Sequence, residues 1–267
     1  MSQTVLVTGA SSGIGAATAR LFHSRGFTAF GTSRKPNSSS VFPMLQLDVT
    51  SDDSVRECVD RILSQSGRLD ILVNNAGYTI NGAIEETSLD EAKDQFETNF
   101  FGVVRMTNAV LPHMRETRSG RIINIGSLVG LLAFPFGAFY CATKFALEAL
   151  SEALWYELQP FGIAVSLIEP GYVHTGFGEA ARATSRTIPA YDGARQRVIH
   201  AIKTGVGRGS SPEPVAAAVL RAATSRNPHL RYRVGSDAVW LPRVRKAVPW
   251  NFFAAGLRRQ FALDAKS

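Results

Sequence analysis

Short apolar runs alternate along the chain with longer segments in which apolar residues recur at helical spacing. Six runs predict buried β-strands: Thr4–Val7, Thr28–Thr32, Met44–Leu47, Leu69–Val73, Arg121–Ile125 and Ala164–Ile168. Helices are predicted near Asp52–Ser66, Leu89–Leu111 and Ala138–Gln159, and after Pro212 through Thr224. Strands that alternate with helices are typical of a parallel sheet covered on both faces. The pattern therefore predicts an α/β fold, a doubly wound parallel sheet in three layers, α/β/α.

A chain of 267 residues suits one domain of this class, and no linker or repeat divides it. We therefore expect residues 1–267 to form a single domain. Residues 176–210, where glycine is interspersed with arginine and alanine, predict a mobile substrate lid loop. Residues 235–267 form a basic C-terminal extension.

Positive charge is concentrated near the C-terminus. Residues 221–267 contain ten Lys or Arg and two Asp, a net charge of +8, whereas the whole chain carries +7. No nucleic-acid-binding motif accompanies this charge, so no nucleic-acid partner is predicted. Because Trp240, Trp250, Phe252 and Phe253 lie among the cations, the extension could make peripheral contact with a membrane surface. Packing over the substrate cleft or against a neighbouring subunit is the alternative.

The cysteine content and the hydropathy indicate a cytoplasmic protein. Cys58 and Cys141 are too few for a disulfide framework. No apolar run reaches the roughly 18 residues that a membrane-spanning helix needs, and the chain enters its first strand without a signal-peptide pattern. The five histidines suggest no metal cluster, so no metal site is predicted.

A glycine-rich turn follows the first predicted strand. It reads Thr8-Gly9-Ala10-Ser11-Ser12-Gly13-Ile14-Gly15 and opens into a helix. Glycines at a strand-to-helix turn allow the backbone to approach a pyrophosphate, and the helix N-terminus presents free N–H groups to it. A merely flexible Gly/Ser turn is the alternative, but the position between strand and helix favours a nucleotide site in a Rossmann-type fold.

Tyr140 and Lys144 lie four residues apart, so on a helix they share one face. A nearby positive charge favours the phenolate, so such a pair can exchange a proton with an alcohol or a carbonyl near neutral pH. On its own, this spacing is more often an exposed tyrosine beside a solvated lysine. Further motifs elsewhere in the chain favour the catalytic interpretation of this pair.

The glycine-rich turn is followed by Asn74-Asn75-Ala76-Gly77, Asn99, Ser127, Tyr140 and Lys144 in this order and at these separations. The pattern resembles the short-chain dehydrogenase/reductase family, over nearly the whole chain from Thr4 to about Val234. The stretch from Gly126 to Thr175 is similar to the branch with 17β-hydroxysteroid dehydrogenase type 1 and the photoreceptor-type retinol dehydrogenase.

The resemblance implies that residues 1–267 are a single dinucleotide-binding and catalytic domain. The implied catalytic set is Asn99, Ser127, Tyr140 and Lys144. Tyr140 would be the acid/base, Ser127 would bind the substrate oxygen, and Asn99 would hold a water relay through Lys144. The implied cofactor contacts are Gly9, Ser11, Ser12, Gly13, Ile14, Gly15, Ser33, Arg34, Asp48, Val49, Asn75, Ala76, Gly77, Tyr140, Lys144, Pro170, Gly171, Val173 and Thr175. The family also implies a homodimer or homotetramer, formed through the helices near Leu89–Leu111 and Ala138–Gln159.

Cofactor preference follows from the end of the second strand. NAD-specific folds carry an Asp or Glu there for the ribose 2′-hydroxyl, whereas this chain has Ser33-Arg34-Lys35. Arg34 could bind a 2′-phosphate, with Ser33 or Ser12 assisting, so NADP is predicted over NAD. A solvated turn is the alternative role of these cations.

The predicted function is hydride transfer between a ketone or aldehyde and an alcohol. A bulky apolar substrate, such as a steroid, a retinoid or another lipid, is inferred from Leu131, Leu132, Phe134, Pro135 and Phe136, which could equally be core or subunit contacts. The alternative is a catalytically weak dinucleotide-sensing regulator with the same fold. Such regulators usually lose the tyrosine, lysine or serine, and this chain keeps all three.

Overall fold

A parallel β-sheet forms the centre of the molecule. The computed structural model describes residues 2–36, 40–177 and 181–264. Within them the main sheet has seven strands: β1 (Thr4–Val7), β2 (Thr28–Ser33), β3 (Met44–Gln46), β4 (Ile71–Asn74), β5 (Gly120–Ile125), β6 (Ile163–Pro170) and β7 (Arg231–Val234). Their spatial order is β3-β2-β1-β4-β5-β6-β7. The strand order reverses between β1 and β4, and ligands of such sheets bind at the carboxyl ends of the strands beside that point.

The central strands are apolar because both faces of the sheet are covered. Leu72 of β4 lies opposite Leu6 of β1 on one side and Ile122 of β5 on the other. None of these three side chains is exposed to solvent. Burial of each contributes about 1.5–3 kcal/mol to folding, which makes this part of the sheet a rigid base for the loops above it.

Helices cover both faces of the sheet, as predicted. They are α1 (Gly13–Ser24), α2 (Asp52–Ser66), α3 (Leu89–Phe96), α4 (Gly102–Glu116), α5 (Ala138–Leu158), α6 (Asp192–Gly207), α7 (Glu213–Thr224), α8 (Ser236–Ala247) and α9 (Trp250–Gln260). On one face, α1 and α7 pack through Phe22 and Val219. On the other, α2 and α4 pack through Ile62 and Val110. The predicted three-layer, single-domain α/β/α fold is therefore confirmed.

The helix predicted at Leu89 begins there, because Ser88 and Glu91 form the expected capping box. The Ser88 hydroxyl accepts a hydrogen bond from Glu91 N at 3.2 Å, and the Glu91 carboxylate accepts one from Ser88 N at 2.8 Å. The helix then contains a π-type turn, Glu97–Phe101, between α3 and α4. It continues past the predicted end at Leu111 to Glu116.

Residues 176–210 are not the loop that the sequence predicts. Leaving aside residues 178–180, which lie outside the described ranges, the segment contains a short strand, Arg182–Ala183, paired with Ile80–Asn81, and the 16-residue helix α6. The apolar residues Val198, Ile202 and Val206 recur every four positions and give α6 its inner side. The glycines and arginines elsewhere in the helix (Gly193, Arg195, Arg197 and Gly207) conceal this spacing in the sequence.

The buried acid Glu86 holds this segment to the body of the protein. The Glu86 carboxylate accepts hydrogen bonds from Ala83 N at 2.9 Å and Ile188 N at 2.8 Å, and it pairs with Arg195. Burial acts to raise the pKa of Glu86, but these hydrogen bonds and the guanidinium together lower it below its usual range. The first part of the predicted lid is therefore anchored.

The C-terminal extension is helical over its described residues, which end at Asp264, and consists mainly of α8 and α9. It follows β7, a strand that the sequence pattern does not predict. Arg231 and Arg233 of β7 pair with Glu148 and Glu169, which lie 83 and 64 residues away. These distant carboxylates pair with the two arginines of the strand, and the local sequence around β7 does not indicate these partners.

Candidate active site

One cavity of about 1120 Å³ opens at the carboxyl ends of the strands. All of the predicted site residues line it except Gly15 and Asn99. The glycine-rich turn, the end of β5 and the end of β6 therefore meet at one crevice. The roles of these residues stay predictions.

The glycine-rich turn has the backbone that its sequence requires. Gly9 and Gly13 have φ angles of +65° and +55°, which L side chains rarely adopt. Gly15 lies behind the cavity wall, where a Cβ atom would come within 2.4 Å of Gly9 O and 2.5 Å of Asn75 Nδ2. Residue 15 must therefore be a glycine for α1 to pack this closely against the turn.

The N-terminus of α1 fits an anionic ligand. Its first turn contains no acidic residue, and Ser12 makes no side-chain capping bond to the described backbone. The first amides of α1 therefore face the cavity without a competing carboxylate, as a dinucleotide's pyrophosphate requires. This donor set fits NAD or NADP.

Thr8 braces the turn, a role that sequence analysis missed. Its hydroxyl accepts hydrogen bonds from Asn75 N at 2.9 Å and Ala76 N at 3.0 Å. The Asn75 amide in turn donates to Thr8 O and Gly9 O. The Asn-Asn-Ala-Gly segment is thereby locked to the glycine-rich turn across the switch point of the sheet.

The end of the cavity beside β2 and β3 is polar. The Ser33 hydroxyl is buried and has no hydrogen-bond partner within the described structure, and Arg34 is exposed at the rim. Burial acts to raise the pKa of Asp48, but hydrogen bonds from Thr50 and the charge of Arg34 bring it below its usual range. This end can therefore bind a hydroxyl or a phosphate through Ser33 and Arg34.

Tyr140 lies in the first turn of α5 and borders the cavity opposite Ser127. The Ser127 hydroxyl also caps a short 3₁₀ turn by accepting from Val129 N at 3.2 Å. Burial raises the pKa of the Tyr140 phenol, and Ser127 only partly opposes this. The lowering of this pKa by Lys144 stays a prediction, and desolvation is the largest influence on the phenol.

Lys144 lies one helical turn after Tyr140, as the spacing predicts. Its Nζ donates to Ile125 O at 2.8 Å and lies 5.7 Å from the centre of the Tyr140 ring. Burial lowers the pKa of the ammonium from 10.5 to about 8. Lys144 is thus a cation near neutral pH that loses its charge under mildly alkaline conditions.

Asn99 lies beneath the cavity rather than on its wall. Its Oδ1 accepts from Tyr78 N at 3.0 Å, and its Nδ2 donates to Tyr78 O at 2.8 Å and to Thr143 Oγ1 at 3.3 Å. Thr143 in turn donates to Tyr140 O at 2.7 Å. Through Thr143, the Asn99 amide thus joins the π-type turn to the backbone of α5, and it makes no direct bond to Lys144.

The remaining wall is apolar. Of the predicted apolar stripe, Leu132 and Phe134 line the cavity, whereas Leu131, Pro135 and Phe136 do not. The Phe134 ring stacks on Phe261, with 6.3 Å between the centroids. Other apolar lining residues, which sequence analysis did not assign to the site, are Ile202, Val206, Leu241 and Leu257. The four-residue spacing of Phe253, Leu257 and Phe261, in α9 and just past its end, could have indicated Leu257 and Phe261.

Asp237 connects the C-terminal helices to the end of β6, and no sequence motif indicated it. Its carboxylate accepts a hydrogen bond from Tyr172 N at 2.7 Å. A Cβ atom on Gly171 would come within 1.9 Å of the same carboxylate. The turn after Pro170 is therefore held against α8.

Among the described residues, no cluster of His, Cys, Asp and Glu could hold a metal ion. Within the same ranges, every helix is too short or too polar to cross a membrane.

Comparisons with known proteins agree with this geometry. Residues 3–186 match the family model for short chain dehydrogenase. The chain is 41% identical over 265 residues to 3-ketodihydrosphingosine reductase of Bacteroides thetaiotaomicron, with 98% of both chains covered. It is 35% identical over 259 residues to retinol dehydrogenase 8 of Bos taurus, with 88% of this chain and 82% of the relative covered.

Among solved structures, a short-chain dehydrogenase from Streptomyces avermitilis is 38% identical. It superposes with a TM-score of 0.81 and covers 96% of this chain and 98% of its own. The fold, the family model and the relatives agree with the resemblance found in the sequence. The chain therefore belongs to the short-chain dehydrogenase/reductase family, as an NAD(P)-dependent oxidoreductase.

Proposed function

We propose that the chain is an NADP-dependent oxidoreductase that interconverts a ketone or aldehyde and an alcohol on a bulky, apolar, lipid-like substrate. The observation that carries the proposal is the cavity at the carboxyl ends of the strands. It combines the glycine-rich turn and Arg34 at one end, Ser127, Tyr140 and Lys144 in the middle, and an apolar wall from α6, α8 and α9.

Reduction of a carbonyl adds one hydride to carbon and one proton to oxygen. Bound NADPH would supply the hydride. Ser127 would donate a hydrogen bond to the carbonyl oxygen, and the Tyr140 phenol would then deliver its proton to that oxygen. The Lys144 ammonium would stabilise the phenolate that remains. Because burial raises the pKa of Tyr140, the phenol holds its proton at neutral pH, which suits reduction.

The preference for NADP rests on the polar end of the cavity. Ser33 offers a buried hydroxyl without a partner among the described residues, and Arg34 offers a guanidinium at the rim. A 2′-phosphate would satisfy both, whereas a 2′-hydroxyl would leave the guanidinium unused.

The substrate class rests on the apolar wall and on one relative. The relative from Bacteroides thetaiotaomicron is named for a ketone of a sphingoid base, a long-chain lipid. A cavity of about 1120 Å³ lies above the usual range of roughly 300–1,000 Å³ for small-molecule sites. It has room for a cofactor and part of an aliphatic chain.

A homodimer or homotetramer is proposed from the outer faces of α4 and α5. Phe145 is 45% exposed on α5, and Phe101 is 47% exposed just before α4. A second copy would remove these rings from water. Light scattering on the purified protein tests this, and a monomeric mass at all concentrations would refute it.

A cytoplasmic location is proposed from the two thiols, because Cys58 and Cys141 are both free and buried. Cell fractionation would contradict this if the protein were found only in an oxidising compartment.

The proposed reaction is tested by following NADPH oxidation with 3-ketodihydrosphingosine, retinal and a ketosteroid, and by repeating the assay with NADH. We expect turnover of at least one apolar carbonyl compound, and faster turnover with NADPH than with NADH.

The role of Tyr140 is tested by the variant Tyr140→Phe, which should lower turnover at least about 10²-fold, as expected for a lost general acid. Fluorescence titration should show that this variant still binds NADPH. Near-normal turnover by Tyr140→Phe would refute the assigned role, and NADPH binding without any turnover would favour the dinucleotide-sensing alternative.

A further inference from the structure

The two C-terminal helices carry large apolar side chains that face water. Trp240 is 61% exposed on α8, and Trp250 and Phe252 are 57% and 73% exposed on α9. Together with Arg243, Arg245, Lys246 and Arg259, these three rings are called here the aromatic–basic surface.

Folding of the helices does not require these rings. Other residues of α8 and α9 already pack inward, since Ala238 and Phe253 join Leu128 and Leu132 in a buried cluster. Leu241 and Leu257 line the cavity. The exposed rings therefore add apolar surface that the monomer leaves uncovered.

The cations of the surface are uncompensated within the described chain. Asp237 and Asp264 are the two acids of residues 235–267. Asp237 is hydrogen-bonded to Tyr172 N, and Asp264 pairs with Arg258. Arg243, Arg245, Lys246 and Arg259 form no salt bridge with any described residue.

Rings and cations are also paired with each other. The Arg243 guanidinium lies 5.1 Å from the centre of the Trp240 ring, and that of Arg245 lies 4.4 Å from the Trp250 ring. Tryptophan favours the interfacial layer of a bilayer, where its ring meets acyl chains and its N–H meets water. Arginine at the same depth can reach lipid phosphates.

We propose that the aromatic–basic surface docks on an anionic lipid bilayer. The charge complements anionic headgroups, and the rings supply the apolar contact that holds the helices at the interface. Because α8 and α9 also line the cavity, docking places the apolar wall beside the membrane. This consequence rests on the proposed lipid substrate, whereas docking itself does not.

Sedimentation with phosphatidylcholine vesicles, with and without phosphatidylglycerol, tests docking without cofactor or substrate. We expect binding to the anionic vesicles at least about tenfold stronger than to the neutral ones. Trp240 and Trp250 are two of the chain's three tryptophans, so a blue shift of fluorescence should accompany binding. The double variant Trp240→Ala, Phe252→Ala should weaken binding about tenfold or more.

Two matched controls separate this surface from general effects. Tyr156→Ala removes an aromatic ring that is 62% exposed on α5, and it should leave vesicle binding unchanged. Lys246→Glu should weaken binding. Arg25→Glu makes the same change of charge just after α1, at the amino ends of the strands and away from the cavity, and it should have little effect on binding. Equal losses in variants and controls would overturn the proposal. Unchanged vesicle binding with a smaller oligomer in the double variant would also overturn it, by making the surface a subunit contact.

Discussion

The proposed reaction needs the positive charge of Lys144, but burial of this side chain disfavours its charged form. Burial lowers its pKa to about 8, so the ammonium is present below that pH and disappears above it. We expect kcat/KM for carbonyl reduction to fall about tenfold per pH unit once the pH exceeds about 8. A pH–rate profile with NADPH measures this.

Lys144→Met is the control for that profile. It should be slow at every pH and lack the alkaline decline, since no ammonium remains to titrate. If the unmodified enzyme kept its full rate well above pH 8, the charge of Lys144 would not be required for proton transfer.

Arg34 decides between the two cofactors in the proposed function. Arg34→Gln should weaken NADPH binding by about 1.5–3 kcal/mol, the contribution of a charge-assisted hydrogen bond, which corresponds to roughly ten- to a hundredfold in Kd. NADH binding should change little, because NADH has no 2′-phosphate. Fluorescence titration of both cofactors measures this, with Arg25→Gln as the control. Equal losses for NADH and NADPH would show that Arg34 does not contact the phosphate.

At the scale of single residues, the sequence predicted the positions of those site residues whose type and spacing form a recognisable motif. Tyr140, Lys144 and the glycines of the turn lie in or directly behind the cavity wall, because helical spacing and strand ends fix their positions. It did not predict Thr8 or Asp237. Each acts through a hydrogen bond to the backbone of a segment more than 60 residues away. Thr8 opens the glycine-rich turn, but nothing in the local sequence of either residue indicates its distant partner.

At the scale of elements, the sequence predicted those strands and helices whose own residues show a clear apolar pattern. The strands β1, β2 and β4 are short apolar runs, and their burial in the sheet follows from composition alone. The edge strand β7 reads Arg-Tyr-Arg-Val, and it could be predicted only by knowing that Glu148 and Glu169 lie beside it. Helix α6 was missed for a related reason, since only Val198 is fully buried in it.

The acids that support β7 form a titrating cluster between α5, β6 and β7. Glu148 accepts from Arg231 at 2.9 Å, and Glu169 accepts from Arg233 at 2.8 Å. Each acid also has one buried oxygen without a hydrogen-bond partner in the described structure, although that of Glu169 lies 3.5 Å from Arg231 Nε. Burial, and then the charge of Glu169, raise the pKa of Glu148 from 4.5 to about 7.

The stability of the fold should therefore depend on pH through Glu148. Between about pH 4.5 and 7 the folded protein keeps a proton that the unfolded chain has lost, so rising pH costs stability across this window and the full penalty remains above it. Relative to Glu148→Gln, the unmodified protein should lose up to roughly 3 kcal/mol of unfolding free energy between pH 5 and 8. Urea denaturation at both pH values measures the difference.

Glu152→Gln provides the comparison for this cluster. Glu152 pairs with the same Arg231 at 2.5 Å, but its side chain is 46% exposed, so its replacement should shift stability far less with pH. If the two variants showed the same pH dependence, burial of Glu148 would not be its cause.

At the scale of the whole molecule, the cavity is built by two kinds of structure. The sheet and the helices α1 and α5 form its polar base and are supported by the buried core. α6, α8 and α9 form its apolar side, and of the residues in α6 only Val198 is fully buried. A ligand that fills the cavity should therefore stabilise the second group more than the first.

Hydrogen exchange can resolve this difference along the chain. We expect NADP(H) with a substrate to slow amide exchange in Asp192–Gly207, and also in α9, because Leu257 and Phe261 line the cavity. The stretch 182–191 should respond less, since the Glu86 and Glu91 carboxylates already hold it through Ile188 N and Ser185 N. Glu86→Gln should release that stretch and speed its exchange without ligand. Ligand binding that left exchange in α6 unchanged would show that this helix is a fixed wall and not a lid.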